Sequence, residues 1–420
     1  MHSRAAIVAN FASFAVLGVS GVATNIVLSR SFGPELLGAF NQILSIYIVG
    51  AQFASGGGHL AAIRMMPLHA DDVHRMWATA VAAIVVASVL SLIVVLAMLA
   101  GSPLLRSMFE SPRVALGLAP LTLALAFSGV NKVMLAALNA TERHAAFAFI
   151  QALRPLVVLV GVVVMWKLAV SGDHVFLLVP IAELLVLAAS VLLLLPLARR
   201  AGWRAHWRRE VAEVRRFSQR VFPGGLIAEA NSRVDVLVLG ALSSDHAVGI
   251  YSFASMYVEG LAQLPSVIRN AVSARIVRQS SDPGGLWGAL PKLMRFGYLF
   301  LVPVFVAAAL AYYLIVQWSL SPAEQPQALA VFAIVLVCLV VAAGILPLDM
   351  LLSQLGYPGR MSALRGVLFL ANVVGCIALF HAIGVYGVAL SVGVSYIAFP
   401  LGALLMARAL TGRPAEVRTP

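Results

Sequence analysis

The sequence predicts an all-α polytopic membrane protein whose twelve transmembrane helices form two parallel, pseudo-symmetric six-helix halves around a central cavity. Three observations carry that expectation. Of 420 residues, 61% are hydrophobic and 11% charged, against about 45–50% and about 25% in a soluble domain. The apolar residues lie in blocks of about twenty or more, the length a helix needs to cross hydrocarbon. The chain slid on itself by 211 residues also repeats its polar pattern.

Blocks read against breakers give spans at roughly 5–28, 38–64, 76–100, 114–138, 147–168, 174–198, 217–241, 247–270, 295–318, 327–355, 361–381 and 385–407. The runs are long and lack period two, so they are helices and not barrel strands. Span one exceeds the apolar core of a cleaved signal and carries Asn10, Ser13, Ser20, Thr24 and Asn25, so it is expected to remain a span. In span two, Gly56-Gly57-Gly58 signals close packing or a flexible point. Pro155, Pro180, Pro223, Pro265, Pro303 and Pro347 are expected to bend their helices. The organisation that follows is a six-helix half at 1–198, a basic linker at 199–216, a second half at 217–408 and a tail at 409–420. Cys338 and Cys376 read as small core residues, with no metal-ligand spacing around either.

Charge placement sets the orientation. If the N-terminus is cytoplasmic, the outside loops hold Arg30, Arg106, Arg113 and Lys167. Lys132, Arg154 and Arg233 lie deep in spans, which leaves 22 of the 29 Lys and Arg inside. This asymmetry is the positive-inside rule, with both termini cytoplasmic. It also accounts for the net charge of +12 without nucleic acid. The densest cluster is Arg199, Arg200, Arg204, Arg208, Arg209, Arg215, Arg216 and Arg220, interleaved with Trp203 and Trp207. It reads as a topology anchor, or as a site for anionic head groups or a cytoplasmic partner.

The repeat is carried by residues. At offset 211, 20–66 falls on 231–277 with seven identities, among them Gly38/Gly249, Gln52/Gln263 and Arg64/Arg275. Asn41, Ser45, Gln52, Ser55 and His59 make one polar stripe on span two, and Ser252, Glu259, Gln263, Ser266 and Asn270 a matching stripe on span eight. A second register, at offset 217, aligns Arg143 with Arg360 and places Lys132 opposite Asp349. Six spans per half make the repeat parallel, and transporters bind cargo between such repeats.

Charges within spans are costly and mark cavities or pairs. Here they are Lys132, Arg154, Glu183, Glu229, Arg233, Asp235, Glu259 and Asp349. Glu229 and Arg233 are four apart and can pair on one helical face. Asn231 and Asp235 align with Ser20 and Thr24, which places spans one and seven facing each other across the cavity. Asp235 and Glu259 are candidate cation or proton sites, and Arg233 a candidate anion ligand. Lys132 and Asp349 are candidates for a salt bridge across the axis. Arg154, before Pro155, either holds a phosphate or satisfies carbonyls freed by the bend. The expected transport cavity is therefore Gln52, Lys132, Arg154, Asn231, Arg233, Asp235, Glu259, Gln263 and Asp349. No catalytic residue, resident cofactor or metal is expected, because no extramembrane segment is long enough for a catalytic domain and no phosphate-cradling loop or nucleophile elbow occurs.

The opening, TNIVLSRSFGPELLGAFNQILSIYIVGAQFASGGGH from Thr24 to His59, is similar to the polysaccharide transporter branch of the multidrug, oligosaccharidyl-lipid and polysaccharide flippase superfamily. So is its counterpart NSRVDVLVLGALSSDHAVGIYSFASMYVEGLAQLP, from Asn231 to Pro265. The resemblance lies in the Gly-x-aromatic starts Gly38-Ala39-Phe40 and Gly249-Ile250-Tyr251, in Arg233-x-Asp235, and in the span number, halves and basic central loop of the whole chain. It implies an inner-membrane flippase that moves oligosaccharide on polyprenyl pyrophosphate toward the periplasm, for O-antigen, capsule or exopolysaccharide assembly. It implies a basic cavity for the pyrophosphate, served by Lys132, Arg154 and Arg233, with Arg64, Arg269 and Arg275 at the cytoplasmic entrance. It also implies coupling to protons or sodium through Asp235 and Glu259. Partners would be the lipid-linked oligosaccharide, membrane lipids, and a glycan polymerase or glycosyltransferase.

Three other readings are weighed against this one. A cation-coupled multidrug antiporter of the same superfamily needs an acid-rich, base-poor cavity. A membrane glycosyltransferase or ligase needs a large periplasmic loop. A non-transporting scaffold of a glycan assembly complex leaves the paired polar stripes without a purpose.

Overall fold

In the computed structural model, residues 2–202, 207–279 and 283–411 are described, and they contain helix and no strand. With no water in hydrocarbon, each backbone amide needs an internal partner, and only helices and closed barrels supply one. Each of the twelve expected blocks falls on helix. In chain order these are α1 (His2–Phe32), α2 (Pro34–Ser55), α3 (Gly58–Met65), α4 (Val73–Phe109), α5 (Pro112–Ala140), α6 (His144–Lys167), α7 (Leu178–Ala201), α8 (Trp207–Asn231) and α9 (Val234–Leu242). They continue as α10 (Asp245–Ala262), α11 (Leu264–Gln279), α12 (Pro283–Ser319), α13 (Gln325–Ala342), α14 (Leu351–Gln354), α15 (Pro358–Ile383) and α16 (Val385–Thr411). Among the described residues, nine helical segments are long and apolar enough to cross a membrane. The protein is a multi-pass membrane protein.

Four spans are interrupted. Span two breaks into α2 and α3 at Gly56 and Gly57, whose φ values of 51° and 84° are left-handed. A Cβ on Gly57 would lie 3.0 Å from the Ser218 carbonyl oxygen, so the triple glycine is both a break and a close approach. Span seven breaks at Ser232–Arg233, span eight at Gln263, and span ten between Ala342 and Leu351. The break in span seven falls between Glu229, in α8, and Arg233, the N-cap of α9.

Local signals set the helix starts. Pro34, Pro112 and Pro358 open their helices, where no amide donor is needed. Ser111 caps α5 by accepting from Val114 N at 3.1 Å. Asp72 caps α4 by accepting from His74 N at 3.0 Å and Arg75 N at 3.1 Å. The Arg75 amide above all, with the His74 amide and the His74 and His69 side chains, holds the Asp72 carboxyl below its usual range.

The chain divides into two compact units, Met1–Gly249 and Ile250–Pro420. The first packs on small residues: Ala61, Ala62, Ala80, Ala83 and Ala137 are fully buried beside Val133, Leu138 and Val214, the close backbone packing that helices use in lipid. Outward, α4 presents Val89, Leu92, Ile93, Leu96 and Leu99, each more than half exposed, as an apolar face suited to acyl chains. The second unit packs Ile276, Leu286, Leu348, Leu351 and Met361 against Ala403 and Ala407 of α16.

Within the first unit, the starts of α2 and α10 cross at backbone distance. A Cβ on Gly38 would lie 1.9 Å from the Asp245 carbonyl oxygen, and one on Gly249 would lie 1.9 Å from the Pro34 carbonyl oxygen. Pro34 and Asp245 are related by the same 211-residue offset as Gly38 and Gly249, so the crossing obeys the sequence repeat.

Two outcomes are expected. Asp72→Ala accelerates hydrogen exchange at the His74 and Arg75 amides, and the wild-type cap weakens as pH falls through the depressed Asp72 pKa, where the carboxylate is protonated. Gly38→Leu and Gly249→Leu each cut the folded yield in membranes several-fold, read by detergent extraction and size-exclusion profile, while Gly18→Leu, in open space, does not.

Candidate functional site

The first unit holds a buried carboxylate tied to three other helices. Glu183 of α7 is fully buried. Its Oε1 accepts from the Tyr47 hydroxyl of α2 at 2.6 Å, and its Oε2 from Asn131 Nδ2 of α5 at 2.7 Å. The Asn131 amide also donates to the Glu183 main-chain carbonyl at 2.9 Å. Arg154 of α6 completes an ion pair through Nε, and its guanidinium lies 5.9 Å from the Tyr47 ring centroid. A buried carboxylate persists only where opposite charge and donors offset its lost hydration, and here three neighbouring helices supply them. Arg154 is therefore tied to Glu183. A third of its side-chain surface remains open. Sequence reasoning marked Glu183 and Arg154 as intramembrane charges but missed Tyr47 and Asn131, which no spacing links to them.

Beside this cluster, Lys132 of α5 donates to Gln52 Oε1 of α2 at 3.0 Å. Gln52 is buried, and its amide sits where a Cβ on Gly225 of α8 would be 2.7 Å away. Glu229, Arg154, Glu183 and His59 lie within electrostatic range of Lys132. The unit thus brings Gln52, Lys132 and Arg154 into one polar region. The rest of its expected set lies around the break in span seven. Asn231 ends α8 and is exposed, Arg233 caps α9 with φ −130°, and Asp235 is buried in the first turn of α9. Arg64 is exposed near the end of α3, its guanidinium 5.9 Å from the Phe217 ring centroid. The stripe of span one differs from expectation. Ser20 and Thr24 are buried, Thr24 bonds back to the Ser20 carbonyl at 2.8 Å, and α1 packs on α6 and α2. The Thr24 hydroxyl thus satisfies itself on its own helix, as hydroxyls in apolar helices do.

A second polar tie lies at the α2–α10 crossing. Asp245 accepts from Gln42 Nε2 at 2.7 Å and from the Ser111 hydroxyl at 2.5 Å. Arg113, two residues after Ser111, pairs with Glu35, the residue after Pro34, at 2.9 Å. Gln42, Ser111 and Asp245 were not singled out from sequence, because two of them lie at span ends where polar residues are ordinary.

In the second unit, Asp349 pairs with Arg269 of α11 and Gln354 donates to the Ser273 hydroxyl at 3.0 Å. Arg365 of α15 lies within electrostatic range of both Asp349 and Arg269. Lys132 and Asp349, expected as partners, therefore each have a polar partner within their own unit. Glu259 is half-buried on α10, and Gln263 is exposed at the break that follows. The side chain of Arg275 lies outside the described residues.

Glu183→Ala is expected to cost about 3–5 kcal/mol of stability by leaving Arg154 uncompensated. The double change Glu183→Leu with Arg154→Leu costs less than Glu183→Ala alone. Thermal unfolding in detergent reads both, and equal losses would mean that the pair is not coupled.

A family model described as polysaccharide biosynthesis protein matches residues 27–323. No curated relative matches the chain. Among solved structures, the chain is similar to the lipid II flippase MurJ in an inward closed conformation, with a TM-score of 0.74 at 13% identity, covering 96% of this chain and 87% of that one. It is similar to an inward-facing multidrug resistance MATE family transporter of the MOP superfamily, with a TM-score of 0.70 at 16% identity and coverage of 95% and 96%. It is also similar to a MOP superfamily transporter from Pyrococcus furiosus, with a TM-score of 0.59 at 14% identity and coverage of 97% and 95%. The fold is thus that of MOP-superfamily transporters, and the chain belongs to the polysaccharide biosynthesis protein family.

Proposed function

We propose that the protein is a flippase that moves oligosaccharide linked to polyprenyl pyrophosphate across the bacterial inner membrane by alternating access, with both termini cytoplasmic, and that it performs no covalent chemistry. The observation that carries this reading is the Lys132–Gln52 pair, a half-buried ammonium kept inside an apolar bundle in a family named for polysaccharide biosynthesis. Retaining a cation in a span is costly, and a passing phosphate offsets that cost through charge-assisted hydrogen bonds. The amides of Gln52 and Asn231 suit sugar hydroxyls. Arg154, already paired with Glu183, contributes less free charge than Lys132. Asp235, buried at the start of α9, is assigned to coupling with protons or sodium, together with Glu259. A glycan polymerase or glycosyltransferase would receive the product.

In this orientation the Gly38–Gly249 crossing and the Gln42–Asp245–Ser111 tie lie at the periplasmic end. Cargo release there requires the crossing to part.

Depletion in the native host should leave the lipid-linked oligosaccharide on the cytoplasmic leaflet, read with an impermeant probe on right-side-out and inverted vesicles. Normal sidedness with normal surface glycan would overturn the reading. Lys132→Ala and Asp235→Asn should each lower export at least about tenfold, the scale of one lost charge-assisted contact, at normal protein abundance. A thiol linker between Gln42→Cys and Asp245→Cys should block export and release it on reduction. Export unaffected by full cross-linking would show that this end does not open.

A further inference from the structure

The arginine-rich stretch after α7 has a role that cargo transport does not absorb. Of that cluster, residues 203–206 lie outside the described residues, but α8 carries Arg208, Arg209, Arg215, Arg216 and Arg220, all exposed. At about 100° per residue these five fall within an arc of about 140° on one helix face. One exposed acid, Glu213, stands at its edge. The opposite face is already occupied: Val214 is fully buried, and Val211 and Phe217 pack on the same alanine-rich core.

Two contacts set the depth of the stripe. Glu210, buried, pairs with Arg75 in the first turn of α4 at 3.1 Å, just before the apolar run that begins at Met76. Farther along α8, Phe222 meets Phe53 of α2 edge to face at 5.5 Å between ring centroids. Residues near Glu210 therefore lie where helices leave hydrocarbon. Arg208 and Arg209 sit at that level, Arg215 and Arg216 lie one to two turns farther along α8, within reach of it by snorkelling, and Arg220 follows one turn beyond on the same face.

We propose that this face of α8 docks the anionic phospholipid head groups of the adjacent leaflet. Guanidinium forks match phosphate geometry bidentately, and each arginine near an anionic surface raises local partition roughly fivefold. A protein partner fits less well, because protein interfaces centre on aromatic or aliphatic anchors. Here the exposed neighbours are Ala212 and Gln219, while the ring of Trp207 lies beneath the Arg208 guanidinium, 5.7 Å from centroid to Cζ.

The test uses the full chain in mixed bilayers containing spin-labelled phosphatidylglycerol or phosphatidylcholine, with the motionally restricted fraction as readout. Wild type should prefer phosphatidylglycerol several-fold, and the preference should shrink as salt screens it. Changing the five arginines to glutamine should bring the preference close to unity, and changing them to lysine should keep most of it. If the glutamine variant does not insert, Arg209→Gln with Arg216→Gln replaces it and should lose part of the preference. No preference in wild type overturns the proposal, as does a full preference in the glutamine variant. So does a cytoplasmic protein that binds the stripe while lipid preference is absent.

Discussion

The first unit is organised around a carboxylate with no access to water. Glu183 is fully buried, so its charge can be kept only by partners brought to it, and these come from α2, α5 and α6. Removing one partner leaves charge unbalanced in a poorly polarisable medium, so the contacts act together. Apolar packing between helices in lipid lacks the hydrophobic force that drives it in water. A directional polar tie therefore specifies which helices meet and in which rotational setting. Lys132 and Gln52 stand beside that tie, so their placement depends on it.

The two repeats share a plan but differ in continuity. α1 and α5 run unbroken through positions where their counterparts, spans seven and ten, are interrupted. Polar residues cluster at the interruptions: Arg233 caps α9, Gln263 sits between α10 and α11, and Asp349 follows the short turn at Leu346–Leu348. Unwound backbone inside a membrane protein is tolerated where it meets protein or a polar lumen. The interruptions thus concentrate carbonyls and charge in the later repeat, where the candidate coupling acids Asp235 and Glu259 also lie.

That the twelve blocks are helical was legible because length and apolarity are one-dimensional properties. The break at Gly56–Gly57 was legible as well, since consecutive glycines accept left-handed backbone that other residues avoid. The break at Ser232–Arg233 was not. The helix-breaking residues there, Pro223, Gly224 and Gly225, lie inside α8, and nothing at Ser232 itself marks an end. At the site, Lys132 and Gln52 were legible as polar residues in apolar runs. Their partnership was not, because it joins residues 80 apart in sequence. Thr24 misled in the other direction, since a hydroxyl that bonds its own helix looks, in sequence, like one that lines a cavity.

At the Gly38–Gly249 crossing, each glycine excludes a side chain for the sake of the other's neighbour: Gly38 faces Asp245, and Gly249 faces Pro34. If the halves descend from one duplicated segment, most positions could then diverge independently, and only seven of 47 aligned residues around this point still agree. These two positions are tied, because each lies at backbone distance from the start of the other's helix. Their identity records a steric debt shared by both copies, and a change in one copy would have no compensating change available in the other.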